Sequence, residues 1–205
     1  MRYLKFYIAS LGITLMDQIL KLWVHHNMSE NESIQVFGDW FQLLYVLNPG
    51  IAFGFEFDVP NGKLLLTLFR ILAVIGIAYY LYYLANKGTH KHILIALSLV
   101  LAGALGNVLD STFYGVMLNL ATDNAPTPWF HGKVIDMFYF PIVRGTFPEW
   151  LPFWGADEFL FFRPVFNLAD ASIFIGVTCI LTLQHKYGLI APANSDEMNL
   201  KTKTF

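Results

Sequence analysis

Charge is what this sequence has least of. Asp, Glu, Lys and Arg together make up 14% of its 205 residues, where a soluble domain carries about 25%. With 56% hydrophobic and 17% aromatic residues, the deficit points to a membrane protein before any motif is read. A net charge of −2 gives no reason to expect a nucleic-acid partner. Cysteine is nearly absent. The single one, Cys179, excludes an internal disulfide and leaves the redox compartment open. It falls about ten residues into an apolar run, roughly 15 Å deep by helical rise, where a thiol is a poor nucleophile. A Gly-x-Ser-x-Gly elbow and a His-Glu-x-x-His metal helix are also missing. No small-residue cleavage site follows the N-terminal apolar segment, and Asp17 and Lys21 interrupt it. That segment therefore reads as a retained span rather than a signal peptide.

Long apolar runs, by contrast, are plentiful. Crossing about 30 Å of hydrocarbon takes roughly 20 helical residues, and four stretches qualify: about 3–24, 64–85, 92–110 and 165–184. Arg2 and Lys5 precede the first, Lys87 and Lys91 separate the second and third, and Lys186, Lys201 and Lys203 follow the fourth. The positive-inside rule makes those three segments, and so both termini, cytoplasmic. The other two loops carry Glu30, Glu32, Asp39, Glu56 and Asp58, then Asp123, Glu149, Asp157 and Glu158, and belong outside. The expected fold is an all-α integral membrane protein with four transmembrane helices. Residues 1–190 form one domain and 191–205 a polar cytoplasmic tail.

The first outer loop has the alternation of a small sheet. Ile34–Phe37 and Trp40–Val46 flank Gly38-Asp39 as two strands around a two-residue turn. Asn48-Pro49-Gly50 makes another turn, and Ile51–Phe57 reads as a returning strand. The second outer loop, about 111–164, holds six prolines (Pro126, Pro128, Pro141, Pro148, Pro152 and Pro164) among many aromatic residues. It reads as a segment lying in the membrane interface rather than a regular soluble domain.

The informative residues are polar ones set in apolar runs. Asp17 and Lys21 stand at i and i+4 and share a helix face. Asn107 and Asp110 share a face at the end of the third run, after Gly103, Ala104 and Gly106, which permit close helix contact. Asn167 and Asp170 do the same where the fourth run begins. Asp136 sits among Val134, Ile135, Met137 and Phe138. Taken singly, each has an ordinary reading: an internal ion pair, a polar helix end, a solvated loop carboxylate. Taken together they are harder to dismiss, because the topology puts Asp17, Lys21, Asn48, Asn107, Asp110, Asp136, Asn167 and Asp170 at one outer depth. Buried polar groups need partners, and a shared pocket supplies them. The chemistry left to such a pocket is that of carboxylates.

Five ordered blocks carry a resemblance to a known family. They are Asp17-Gln18-x-x-Lys21, Asn48-x-Gly50-x-Ala52-Phe53, Gly103-Ala104-x-Gly106-Asn107-x-x-Asp110, Val134-Ile135-Asp136 and Phe166-Asn167-x-Ala169-Asp170. Their order and four-span frame resemble the bacterial lipoprotein signal peptidases, the type II signal peptidases. The resemblance implies an intramembrane aspartic endopeptidase that cleaves lipidated prolipoproteins just before the diacylglyceryl-modified cysteine. Its catalytic pair corresponds to Asp136 and Asp170. Asp17, Lys21, Asn48, Gly50, Asn107, Asp110 and Asn167 correspond to substrate-binding or supporting positions. It also implies a multi-pass monomer of the bacterial cytoplasmic (inner) membrane, with a periplasmic sheet, membrane lipid around it, the site at the outer leaflet, and neither metal nor cofactor. Two features depart from the family pattern. Ser111 stands where members usually have Arg, so Lys21 or an outer-loop residue must neutralise Asp110. The stretch from Asp110 to Asp136 is also longer than usual.

Two other readings compete. A small proton- or cation-coupled transporter subunit would use Asp17, Lys21, Asp110 and Asp170 as a path, but a path needs stations across the whole membrane. Of the charged residues within the runs, only Arg70 lies far from a helix end. A metal-dependent hydrolase using the same oxygens would be separated by its loss of activity on chelation.

Overall fold

The computed structural model describes residues 3–50, 62–141, 143–146, 148, 150, 158–161 and 164–187. Three long apolar helices dominate it: α1 (Leu4–Asn27), α2 (Gly62–Asn86) and α3 (Lys91–Leu109). The third continues through a π-helical turn at Asp110–Tyr114 into the short α4 (Gly115–Met117). Counted to Met117, all three are long and apolar enough to cross a membrane. The last helix, α5 (Leu168–Tyr187), is apolar but shorter. The chain is thus a helical membrane protein with a four-stranded antiparallel sheet.

Two compact units divide the chain. One comprises Met1–Leu15, Leu68–Gly106 and Ala169–Phe205, and its described part is helix packed on helix. Phe6, Leu81, Leu84, Leu94, Leu97 and Leu101 form its core. Buried hydroxyls of α1 donate to main-chain carbonyls. Ser10 donates to Ser98 O at 2.8 Å and Thr14 to Ala102 O at 3.0 Å, two rungs with the same i, i+4 spacing on both helices. Between α3 and α5 the backbones come close because glycine allows it. A methyl at Gly103 would fall on the carbonyl oxygen of Ala169, and one at Gly176 would come within 2.6 Å of Ala96 O.

The other unit comprises Met16–Thr67 and Asn107–Leu168. Its sheet runs β1-β2-β3-β6, formed by β1 (Ser33–Phe37), β2 (Phe41–Asn48), β3 (Val134–Tyr139) and β6 (Val165–Phe166). A separate hairpin pairs β4 (Val143–Thr146) with β5 (Glu158–Phe161). Under the sheet lies a core of Val24, Met28, Tyr45, Tyr114, Ile135 and Met137. Over one face runs a row of rings. Phe41 stacks on Phe140 at 4.7 Å, and Phe140 on Phe166 at 5.7 Å.

Four sequence expectations need correction. The β1–β2 turn holds three residues, because Phe37 pairs with Phe41; Gly38 takes a positive φ of 50° there, open to glycine. The fourth helix starts at Leu168 rather than at 165, because the sheet claims Val165 and Phe166 through Tyr139 and Phe138. The second outer loop is more regular than its prolines suggest. It supplies β3 and the β4–β5 hairpin, and its 120–133 stretch folds back so that Gly132 N–H donates to Ser111 O at 2.9 Å and Lys133 N–H to Leu120 O at 2.8 Å. Asp136 accordingly lies on a strand, not in a solvated loop, and is 3% exposed. The returning strand expected at 51–57 and the tail from 191 lie outside the described residues.

Candidate active site

Eight of the nine candidate site residues fall in the sheet-bearing unit, and side-chain contacts join seven of them in one network, with the eighth, Gly50, tied in through its main chain. Lys21 is its cationic centre. Its ammonium lies 2.8 Å from Asp17 Oδ2 and 2.7 Å from Asp110 Oδ2, with all three side chains at most 1% exposed. Holding charge so deep is costly unless each ion is paired and hydrogen-bonded. Gln18 completes the shell, donating through Nε2 to Asp110 Oδ1 at 2.8 Å and to Asp17 Oδ2 at 3.2 Å. Tyr114 in turn donates to Gln18 Oε1 at 3.0 Å.

These contacts answer the question raised by Ser111. Asp110 is neutralised by Lys21 from α1, while Ser111 is fully buried and donates to Asn107 O at 2.9 Å.

From Lys21 the network continues to a third carboxylate. Lys21 Nζ donates to Asn107 Oδ1 at 3.2 Å. The Nδ2 of Asn167 reaches that same oxygen at 3.3 Å, Ile135 O at 3.4 Å and Asp136 Oδ1 at 2.7 Å. Asp136 Oδ2 accepts from Asn48 Nδ2 at 3.0 Å. Asn48 is oriented by its own turn, since Gly50 N–H donates to Asn48 Oδ1 at 2.8 Å. The Asn48-x-Gly50 spacing thus has a physical reason. The turn needs φ of +105° at Gly50, and a side chain there would meet Leu66 Cδ2 and Lys63 Nζ, each 2.9 Å from the Cβ position.

Asp170, the ninth, stands three residues after Asn167 in the first turn of α5 and is half-buried. It belongs to the helical unit.

Sequence reasoning missed Tyr114 as a partner and undervalued Gln18. Tyr114 lies four residues after Asp110, a helical spacing that could have signalled it. Nothing local links Gln18 to Asp110, 92 positions away. Outside the helices, Tyr45 closes the base of the sheet, its hydroxyl 2.7 Å from His25 Nδ1. Burial, helped by the negative charge of Glu30, pushes its phenol up to about 12.

A helical membrane protein with a buried, carboxamide-held carboxylate is the class so defined. Comparison with known proteins makes it specific. Residues 9–185 match the family model described as signal peptidase (SPase) II. A lipoprotein signal peptidase of Porphyromonas gingivalis is 45% identical over 186 residues, covering 85% of this chain and 80% of the relative. One from Amoebophilus asiaticus is 44% identical over 180 residues, covering 86% and 76%. The chain belongs to the signal peptidase II family. Its fold is also similar to a bacterial membrane enzyme solved by the in meso method at 1.9 Å resolution, with a TM-score of 0.61 at 23% identity over 89% of this chain and 93% of that one.

Proposed function

We propose that Asp136 and Asp170 are the catalytic pair with which this chain cleaves lipoprotein precursors, cutting before the cysteine that carries the diacylglyceryl thioether. Lipoprotein signal peptidase activity follows from family membership, and aspartic peptidase chemistry with it. The observation that carries the assignment to Asp136 is its double restraint by Asn48 and Asn167. A carboxylate buried on a strand and held by two carboxamides has a fixed position and a supported charge.

Two carboxyl groups sharing one site keep one proton between them. The ionised member takes a proton from water as the water oxygen bonds to the scissile carbonyl carbon. The carbonyl π pair moves onto its oxygen, which takes the proton of the other member, giving a neutral gem-diol. On collapse the C–N bond breaks, the first member returns its proton to the leaving nitrogen, and a gem-diol hydroxyl returns one to the second. Both groups end as they began.

The finer architecture belongs to the same reading. All four helices span the bacterial cytoplasmic membrane as one domain, both termini face the cytoplasm, and the sheet and second outer loop lie at the outer surface. The chain works as a monomer, without metal or cofactor, on a substrate whose lipid remains in the bilayer. The test is purified protein in detergent with lipidated and unlipidated precursor peptides, with and without EDTA. Cleavage of the lipidated peptide alone, unaffected by EDTA, is expected. EDTA-sensitive cleavage would replace the carboxyl pair with a metal centre, and no cleavage would return the transporter reading.

A further inference from the structure

The polar network has a direction. Lysine ammonium only donates and a carboxylate only accepts, so these ends dictate which way each carboxamide between them points. Asn107 must turn its oxygen to Lys21 (3.2 Å). Asn167, meeting that oxygen and Asp136 Oδ1 with the same nitrogen, must present N–H to both. On the other side, the Gly50 N–H takes the oxygen of Asn48 and leaves its amino group for Asp136 Oδ2. Both oxygens of Asp136 are therefore met by donors whose orientation is set elsewhere.

Building on the proposed catalytic pair, we infer that Lys21, through Asn107 and Asn167, and Gly50, through Asn48, lock Asp136 as the carboxylate. Asp136 is then the general base, and the shared proton resides on Asp170. The start of α5 acts the other way, since its first turn favours negative charge on Asp170. Two charge-assisted hydrogen bonds to Asp136 outweigh a helix-terminus dipole. Lys21 and Asn107 are thus positioning residues, acting on the reaction only through the face that Asn167 shows to Asp136.

The direction predicts an asymmetry between two like substitutions. Asn107→Asp keeps the acceptor oxygen that Lys21 and Asn167 both use. Asn167→Asp puts an acceptor where Asp136 needs a donor. With the lipidated peptide in detergent, Asn107→Asp should keep at least about a tenth of parental kcat, while Asn167→Asp and Asn107→Leu lose about 100-fold or more, with KM changed less than about threefold. Melting temperatures identify variants that do not fold. Should Asn107→Asp be one of them, Asn107→Ser, whose hydroxyl also accepts, should exceed Asn107→Ala in kcat by about tenfold. Equal loss in Asn107→Asp and Asn167→Asp, or in the Ser and Ala variants, overturns the relay. Parental turnover by Asp136→Asn would instead overturn the catalytic pair on which the relay rests.

Discussion

The two compact units bury polar groups in opposite ways. In the helical unit, the hydroxyls of Ser10, Thr14 and Tyr7 donate to main-chain carbonyls. Each such bond stands apart from the others, and losing one leaves only a carbonyl that already serves its own helix. In the sheet-bearing unit, three carboxylates, one ammonium and several carboxamides are bonded mainly to one another. There, removing one member strands the rest. The first arrangement holds helices together; the second holds a reactive group in place.

Function should separate the units most sharply. Asp136→Asn retains the size of the side chain but removes the base, so precursor cleavage is expected to fall at least about 1,000-fold. The variant spares a buried charge but turns its amino group on Asn48 or Asn167, so its melting temperature is measured alongside cleavage. Substantial turnover by a folded Asp136→Asn protein would erase the distinction between the units.

Next in size is Lys21→Met. It leaves Asp17 and Asp110 buried without their counter-ion, and breaking a buried pair in this way costs about 3–5 kcal/mol. Denaturant unfolding in detergent should register most of the parent's stability lost. A Lys21→Met protein of parental stability would mean that solvent reaches the cluster.

In the helical unit, Gly103→Ala tests packing rather than polarity. The new methyl meets the Ala169 carbonyl and Ile173 Cγ1, and overpacking of this kind costs about 1–3 kcal/mol. Smaller still is Ser10→Ala, expected at about 0.6 kcal/mol, the average for hydrogen bonds between membrane helices. A Ser10→Ala loss as large as that of Lys21→Met would show that the hydroxyl rungs are not local.

The smallest effect is a titration. Because folding raises the Tyr45 phenol to about 12 from the ordinary 10, the fold favours its protonated form. That contribution is fully present below about pH 10 and is lost as pH rises through 12. Ultraviolet difference spectra should show a tyrosine step near pH 12, and Tyr45→Phe should remove that step.

Much of this was legible in the residues themselves. The apolar runs foretold the helices because a bilayer permits few other solutions for the backbone. The i, i+4 spacing of Asp17 and Lys21 foretold their ion pair, 2.8 Å long. The need of buried polar groups for partners foretold that Asn48, Asn107, Asp110, Asp136 and Asn167 would assemble. The Asn48-x-Gly50 turn could be located, though not its purpose.

What only the tertiary structure decided were contacts between residues far apart in the chain. Asp136 looked like a loop residue because prolines follow it at Pro141 and Pro148. It becomes a strand residue because β2 offers Val46 and Leu47 as partners for Asp136 and Ile135, a pairing across about ninety positions. The neutralisation of Asp110 by Lys21 and Gln18, in place of an adjacent arginine, is equally non-local. So is the orientation of the three carboxamides. A carboxamide carries a donor and an acceptor on atoms of nearly equal size, and which faces Asp136 depends on the ammonium and the backbone N–H at the far ends of the network. Spacing along a chain specifies which groups can share a face; only the folded arrangement specifies which of their atoms meet.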